Sequence, residues 1–202
     1  YFIFVRLQTS CGITGVGEIY AASFAPEVVC RMAEDMFQRY LEGQPPDRIE
    51  HFWRQAHGSG FSHRPDPSVQ GVVSGLEMAC WDIVGKALDR PVHALLGGLV
   101  NERLRTYTYL YPGPDQDAAD FYNDASASAE AAAARVAEGF TAVKFDPAGQ
   151  YTVYDGRMPD LEALERSERF CREIRAAVGD TADMLFGTHG QFTAAGALRL
   201  AQ

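Results

Sequence analysis

The most specific pattern in this 202-residue chain is Ala79-Cys80-Trp81-Asp82-Ile83-Val84-Gly85-Lys86, followed by Pro91-Val92-His93-Ala94-Leu95-Leu96-Gly97-Gly98. The first segment continues a helical spacing of apolar residues. The second ends in two glycines, which predict a turn because glycine adopts positive φ without steric cost. The residue pattern differs on the two sides of this turn, so we predict one domain over residues 1–98 and another over residues 99–202.

Side chains of the first segment have structural interpretations. Trp81 and Ile83 supply apolar area for burial, and Gly85 allows close helix packing. Asp82 and Lys86 have the i, i+4 spacing that permits an ion pair on one helix face. We expect these residues to specify the fold and none of them to carry out chemistry.

Residues 1–98 predict an α+β domain. Two strands, residues 1–8 and 13–20, are joined by a polar, glycine-containing connection that is typical of a hairpin. Three helices are predicted after them, at Pro26–Leu41, Asp47–His57 and Ser68–Leu88. The chain begins within a strand pattern and without an initiator methionine, so we expect the N-terminal strand of this domain to be missing.

Residues 99–202 alternate between strand and helix patterns. The predicted elements are strand Leu104–Tyr111, helix Ala118–Glu138, strand Thr141–Asp146, helix Asp160–Val178, strand Met184–Gly187 and a helix capped by Thr193. Such alternation specifies parallel strands joined by crossover helices. The pattern alone leaves two architectures open, a barrel and a doubly wound sheet.

The pattern around Trp81 and Gly97, together with Gly15-Val16-Gly17-Glu18 in the hairpin, resembles the capping domain of the mandelate racemase and muconate lactonizing branch of the enolase superfamily. The resemblance implies an α+β capping domain over residues 1–98, followed by a modified (β/α)8 barrel of the TIM type. A complete barrel needs about 250 residues, and residues 99–202 hold only three strand and helix units. We therefore expect an incomplete barrel, and a chain that is the N-terminal portion of a longer protein.

Composition and charge exclude several classes of partner. The chain is 47% apolar, with a formal net charge of -9, whereas nucleic acid or an anionic membrane would require a basic surface. No segment approaches the ~20 apolar residues of a membrane span. Four cysteines without Cys-x-x-Cys spacing predict structural thiols in a reducing cytoplasm. We expect a cytoplasmic protein that acts on a small molecule and whose intact form is a homo-oligomer.

The resemblance also implies a chemistry. Enzymes of this superfamily remove the proton next to a carboxylate, and a divalent metal stabilises the resulting enediolate. Because that proton is weakly acidic, Mg²⁺ and nearby cations must neutralise the charge that develops on the carboxylate oxygens. The family's metal ligands lie at the ends of the third, fourth and fifth barrel strands, and the last two strands are expected to be absent from this chain.

Two candidates lie at the end of the second barrel strand. Lys144 matches the first lysine of the family's Lys-x-Lys motif and would face the substrate carboxylate as a catalytic cation; the alternative is an ordinary lysine at a strand end. The second lysine of that motif, which is the base in racemases, is replaced by Asp146. Racemisation by a lysine base is therefore not expected.

The third strand ends in Gly187-Thr188-His189, where acid sugar dehydratases of the superfamily carry Asp-x-His. The resemblance implies that His189 protonates the departing β-hydroxyl, which histidine can do near neutral pH; the alternative is a histidine that only hydrogen-bonds loop backbone. Gly187 replaces the first metal-binding aspartate. Neighbouring strands lie ~4.8 Å apart, so Asp146 could supply the missing carboxylate to Mg²⁺. An altered or lost metal site and His189 as a direct ligand are the other possibilities.

Two further residues are candidates for substrate binding. Arg64 lies in a Gly/Pro/Ser-rich stretch, residues 58–67, that corresponds to the family's cap loop over the barrel mouth; surface solvation explains this arginine equally well. Tyr111 is the last of three alternating tyrosines, with Tyr107 and Tyr109, on the first barrel strand. We expect Tyr111 to line the pocket.

These residues predict a hydro-lyase, an Mg²⁺-dependent dehydratase that converts a sugar acid to a 2-keto-3-deoxy product. An unassigned base would take the α-proton, Lys144 and the metal would stabilise the enediolate, and His189 would protonate the leaving hydroxyl. One alternative is a cycloisomerase or lactonizing enzyme, which expels no hydroxide. Another is a catalytically silent sugar-acid binding protein, which Gly187 suggests. The activity is expected of the intact protein and not of this chain alone.

Overall fold

The computed structural model describes residues 1–20, 25–59, 66–148 and 156–202. The chain divides into two units, Tyr1–Glu102 and Arg103–Gln202. Gly97 and Gly98, which the sequence predicts to form a turn, both have positive φ, at 115° and 105°. Within the described ranges, no helix is both long enough and apolar enough to cross a membrane.

The described part of the first unit consists of an antiparallel hairpin and four helices. The strands are β1, Ile3–Gln8, and β2, Thr14–Ile19, paired from Ile3 opposite Ile19 to Gln8 opposite Thr14. The helices are α1, Pro26–Tyr40, α2, Ile49–His57, α3, Pro67–Ala87, and the short α4, Val92–Leu95. The hairpin and the three longer helices have the predicted ends to within two residues.

Strand β2 lies directly on helix α3 because glycines occupy the contact. A Cβ at Gly15 would collide with the carbonyl oxygen of Ala79, and a Cβ at Gly17 would collide with that of Gly75. The two backbones can therefore approach more closely than larger side chains would permit. Helix α3 becomes the centre of a buried cluster that includes Ile19, Phe52, Val72, Leu76 and Ile83.

The predicted ion pair between Asp82 and Lys86 is present, with 2.7 Å between Nζ and Oδ2. Both residues of the pair also hydrogen-bond to the hairpin and so connect it to α3. Asp82 Oδ2 accepts a hydrogen bond from the Val16 N–H at 2.9 Å, and Lys86 Nζ donates to the Thr14 carbonyl at 2.8 Å. The hydrogen bond from Lys86, and to a smaller extent that from Val16, lowers the pKa of the Asp82 carboxyl.

Gly85 allows a close approach at the end of α3, chiefly to the turn after the helix and also to Val92 of α4. A Cβ at this position would lie 2.8 Å from the carbonyl oxygen of Arg90. The close approach is therefore to the turn that follows α3, because the chain folds back against the helix end before α4 begins.

The second unit contains a parallel sheet. Its strands are β3, Thr108–Tyr109, β4, Ala142–Phe145, and β5, Asp183–Phe186, and they lie side by side in chain order. The helices of this unit are α5, Ala118–Phe121, α6, Ala125–Ala137, α7, Leu161–Val178, and α8, Ala194–Ala201. A barrel adds its strands in sequence, as these three strands do, and one half of a doubly wound sheet has the same order. The strand order is therefore that of the first part of a barrel, and the family comparison below distinguishes the two architectures.

The two faces of this sheet differ in chemistry. Val143 and Phe145 of β4 belong to a buried cluster with Phe170 of α7. Because side chains alternate along a strand, Lys144 and its paired neighbour Tyr109 lie on the opposite face. The candidate site lies on that second face and at the ends of its strands.

Two predicted elements are wrong in extent. The strand predicted over Leu104–Tyr111 is limited to Thr108–Tyr109, because only these two residues pair with β4. The helix predicted over Ala118–Glu138 is broken into α5 and α6, because Asp124 caps a new helix. Its Oδ1 accepts hydrogen bonds from the N–H groups of Ser126 and Ala127 at 2.9 and 3.2 Å.

Candidate active site

Parallel pairing brings the ends of β4 and β5 side by side. Phe145 stands opposite Phe186, and the Gly187 N–H donates to the Phe145 carbonyl at 2.8 Å. Asp146 is the next residue after β4, and Gly187 is the next residue after β5. The two strand ends that the sequence singled out are therefore neighbours at one edge of the sheet.

Asp146 and His189 are in direct contact at this edge. His189 Nε2 lies 3.1 Å from Asp146 Oδ1, and the Asp146 side chain is only 6% exposed whereas that of His189 is 26% exposed. When Nε2 carries a proton, it can donate that proton in a hydrogen bond to the carboxylate. The imidazole is therefore in contact with a buried carboxylate and remains partly accessible.

Tyr109 completes the cluster, although the sequence pattern assigned it no role. Its hydroxyl oxygen lies 3.1 Å from His189 Nε2. Burial raises the pKa of this hydroxyl above its ordinary value, and the hydrogen bond to Asp146 raises it further. The phenol therefore keeps its proton and can donate it to the Asp146 carboxylate, while the hydroxyl oxygen faces His189 Nε2. The alternating tyrosines were the available signal, but only the three-dimensional structure shows that Tyr109 is the one that reaches His189.

The absence of a side chain at Gly187 leaves room for the cluster. A Cβ at this position would lie 2.5 Å from Asp146 Oδ1, 2.8 Å from the Tyr109 hydroxyl oxygen and 3.1 Å from His189 Nε2. Three polar atoms from three different strand ends therefore converge on the space above Gly187. The carboxylate of Asp146 reaches this space from the end of β4.

The backbone of His189 is itself unusual, with φ of 46°. This left-handed conformation is uncommon for residues other than glycine, and surrounding contacts must hold it. Asp146 and Tyr109 both contact the ring of this residue. Strain of this kind concentrates at functional sites.

Lys144 and Tyr111 lie beside the cluster. The Lys144 ammonium is 5.4 Å from the centroid of the Tyr109 ring and 5.7 Å from that of Tyr107, close enough for attraction between the cation and both rings. Tyr111 stacks on Tyr109 with ring centroids 4.9 Å apart, and it is 64% exposed. Arg64, the other predicted substrate-binding residue, lies outside the described residues.

Two family models match this chain. The model of the mandelate racemase / muconate lactonizing enzyme N-terminal domain matches residues 1–97, and that of the enolase C-terminal domain-like family matches residues 127–202. The chain belongs to the mandelate racemase / muconate lactonizing enzyme family. The predicted family and the predicted fold class, a capping domain followed by part of a barrel, are confirmed.

Solved structures of this family cover the whole chain. A candidate mandelate racemase / muconate lactonizing enzyme from Labrenzia alexandrii DFL-11 is 63% identical, with a TM-score of 0.90, over 100% of this chain and 52% of that chain. A mandelate racemase / muconate lactonizing enzyme-like protein from Roseovarius sp. TM1035 is 57% identical, with a TM-score of 0.93, over 100% of this chain and 51% of that chain.

The curated relatives include proteins that are named for the reaction they catalyse. The D-galactonate dehydratase of Verminephrobacter eiseniae strain EF01-2 is 32% identical over 194 residues, which are 96% of this chain and 46% of that protein. The chain thus spans about half the length of the curated relatives it matches.

Membership of the mandelate racemase / muconate lactonizing enzyme family implies a site for a divalent metal. Asp146 fits one part of such a site. Its buried carboxylate is the hard oxygen donor that Mg²⁺ prefers. Among the described residues, no three His, Cys, Asp or Glu side chains are grouped closely enough to hold a metal ion. Asp146 therefore fits as a single ligand, and the described part of this chain does not complete the site.

Proposed function

We propose that this chain supplies part of the active site of a sugar-acid dehydratase, which removes the α-proton of a carboxylate and expels a β-hydroxyl as water. The observation that carries the proposal is the 3.1 Å contact between His189 Nε2 and Asp146 Oδ1. These residues follow neighbouring parallel strands, where barrel enzymes place their catalytic groups. The curated relatives named D-galactonate dehydratase, 32% and 33% identical, support the same reaction class.

Two residues of this chain would act on the substrate. Lys144, half-buried on the same sheet face as Tyr109, would pair with the substrate carboxylate and stabilise its charge as the α-proton leaves. His189, as the imidazolium held by Asp146, would give its proton to the β-hydroxyl. One C–H and one C–O bond break, water departs, and the enol becomes a 2-keto-3-deoxy acid without any oxidant or reductant. The base that accepts the α-proton is unassigned among the described residues.

Mg²⁺ is the proposed metal, with Asp146 as one of its ligands. The ion would supply positive charge opposite the charge that develops on the substrate carboxylate. A carboxylate has two oxygen acceptors, so Asp146 can accept the hydrogen bond from His189 and still hold a cation. The space above Gly187 is what allows Asp146 to reach this position.

Tyr111 and Arg64 are proposed to bind the substrate. The exposed ring of Tyr111, supported from behind by Tyr109, offers a flat apolar face to the carbon skeleton of a sugar acid. Arg64 would pair with the polar groups of the same molecule. Replacement of either residue is expected to raise KM more than it lowers kcat.

The decisive experiment is a substrate panel with the protein expressed from its complete reading frame. D-galactonate and other sugar acids are incubated with and without MgCl₂, and 2-keto acid and residual substrate are followed by NMR. Mg²⁺-dependent 2-keto-3-deoxy acid supports the dehydratase. An isomer of the substrate formed without loss of water supports a cycloisomerase. Binding without any turnover supports a silent sugar-acid binding protein, and each of the last two results overturns the proposal.

We also propose that the complete protein is cytoplasmic and forms a homo-oligomer. The Cys80 and Cys171 thiols are free and at least partly buried, which suits a reducing compartment. Phe4 and Val16 of the hairpin are exposed large apolar residues, a feature of surfaces that associate. Cell fractionation and light scattering of the complete protein test these two statements.

A further inference from the structure

Tyr109 occupies a position that neither the sequence pattern nor the proposed roles of Lys144 and His189 explain. Its hydroxyl oxygen is 3.1 Å from His189 Nε2, the same nitrogen that contacts Asp146 Oδ1. The hydroxyl oxygen also lies 2.8 Å from the Cβ position of Gly187. The hydroxyl is therefore inside the polar cluster and not merely beside it.

The three members of the cluster differ in how firmly the fold holds them. His189 lies in the loop after β5 with a left-handed backbone, so its own strand does not fix the direction of its ring. Tyr109 belongs to β3 and is paired with Lys144 of β4. The Tyr109 ring is also stacked on Tyr111 at 4.9 Å. Strand residues with packed rings hold a functional group more accurately than a loop does.

We propose that Tyr109 is a positioning residue that orients the imidazole of His189 against the carboxylate of Asp146. Two fixed partners, one on β3 and one directly after β4, then contribute to the ring orientation of a residue on a loop. The hydroxyl is the part of Tyr109 that does this, because it is the atom that reaches Nε2. This role rests on the proposed function, since an oriented imidazole matters most where it must deliver a proton to a defined atom.

The test uses two variants that each remove one hydroxyl and keep the ring. Tyr109→Phe removes the group that reaches His189, while its ring can still stack on Tyr111 and face Lys144. Tyr107→Phe is the matched control, because Tyr107 lies two residues earlier, is 52% exposed, and presents its ring to the same ammonium. Circular dichroism and thermal unfolding establish that both variants keep the fold.

The first readout is the long-range ¹H–¹⁵N NMR spectrum of the His189 imidazole, recorded on the complete protein without substrate and without Mg²⁺. The resonance is assigned by its loss in His189→Asn. We expect the Nδ1 and Nε2 shifts to move towards those of a free imidazole in Tyr109→Phe and to stay in place in Tyr107→Phe. Unchanged His189 shifts in Tyr109→Phe would overturn the positioning role.

The second readout separates positioning from stability through the kinetic constants on the sugar acid identified by the panel. Removal of a residue that orients a functional side chain typically lowers activity by ~10 to 100-fold. We expect kcat to fall by that factor in Tyr109→Phe while KM stays within about twofold. Unchanged kcat, in an enzyme that His189→Asn inactivates, would overturn the proposal and leave the dehydratase intact. If no sugar acid is turned over, the dehydratase fails, and the NMR shifts alone decide whether Tyr109 orients His189.

Discussion

Asp146 Oδ1 stands 2.5 Å from the point where a side chain at Gly187 would begin. The two residues follow neighbouring strands whose last residues, Phe145 and Phe186, are paired in register. A larger residue at one position therefore excludes the observed placement of the side chain at the other.

Gly187→Ala tests this relationship most directly. Gly187 is not among the glycines with positive φ, so its backbone accepts alanine, and the three atoms nearest to the new methyl group all belong to side chains. We expect a loss of ~1–3 kcal/mol in the free energy of unfolding from overpacking. We also expect Mg²⁺ affinity to fall ~10-fold or more as the Asp146 carboxylate is displaced.

Denaturant unfolding and calorimetric Mg²⁺ titration of the complete protein measure these two effects. Gly113→Ala is the control, because its Cβ would lie 3.4 Å from the movable side-chain amide of Gln116. This variant should match the wild type in both measurements. Wild-type Mg²⁺ affinity in Gly187→Ala would show that the position of the Asp146 carboxylate does not matter for the metal.

Asp146→Asn should weaken Mg²⁺ binding by ~10-fold or more, because an amide oxygen replaces a charged ligand while size and shape stay similar. Asp146→Ala should do the same and also empty the space above Gly187. Adding Gly187→Asp to Asp146→Ala returns a carboxylate to that space from the neighbouring strand. We expect the double variant to bind Mg²⁺ more tightly than Asp146→Ala in a calorimetric titration. An Mg²⁺ titration that is unchanged in Asp146→Asn would rule out Asp146 as a ligand.

His189→Asn is expected to lower kcat for dehydration by ~100-fold or more, the usual contribution of a general acid. Asparagine tolerates a left-handed backbone better than most residues, so φ of 46° at this position can be kept. Thermal unfolding should therefore change little. His93→Asn, on the exposed surface of α4, is the matched control and should keep wild-type turnover. Near-normal turnover in His189→Asn would remove this histidine from the mechanism.

Local signals explain why most of the first unit could be predicted from sequence. Pro26 and Pro67 open α1 and α3, and Asp66 caps α3 by accepting the Ser68 N–H at 2.9 Å. By contrast, the short β3 depends on its partner strand, because Thr108 and Tyr109 alone pair with β4. The break at Asp124 was missed because the alanine-rich residues on both sides of it are good helix formers.

Part of the candidate site, like most of the first unit, could be identified from local sequence. Asp146 and His189 were identified from residue type and from their place after apolar runs, which are properties of the local sequence. Tyr109 was not identified, because its role depends on the lateral register of two strands separated by two helices. The convergence above Gly187 is likewise a property of three strand ends at once, which no single segment contains.

The cysteines give a prediction that does not depend on the reaction. The hydrogen bond from Thr9 lowers the pKa of the exposed Cys11 thiol, whereas burial raises the pKa of Cys80 to about 11. Because the thiolate is the reactive form, iodoacetamide near neutral pH should label Cys11 rapidly and spare Cys80 in the folded protein. Peptide mass spectrometry over time measures both rates. Equal rates for the two thiols would contradict the burial of Cys80.

The Cys80 thiol also makes the free energy of unfolding depend on pH. The folded protein keeps this proton up to about pH 11, whereas the unfolded chain releases it near the ordinary value of 9.0. The unfolded state therefore binds fewer protons in that window, and the free energy of unfolding should fall as pH rises through it. Cys80→Ala removes this titration, so its denaturation midpoint should decline less steeply over the same range.

The space above Gly187 has a practical consequence for sorting genes of unknown activity. A filter that demands an acidic residue in the column of position 187 would discard this chain as a dead enzyme, although an acidic oxygen stands 2.5 Å from where that residue's side chain would begin. At such a site, a carboxylate can occupy the same space even when it comes from a neighbouring strand. Sorting such genes therefore calls for the three-dimensional position of nearby acidic oxygens as well as the residue type at position 187.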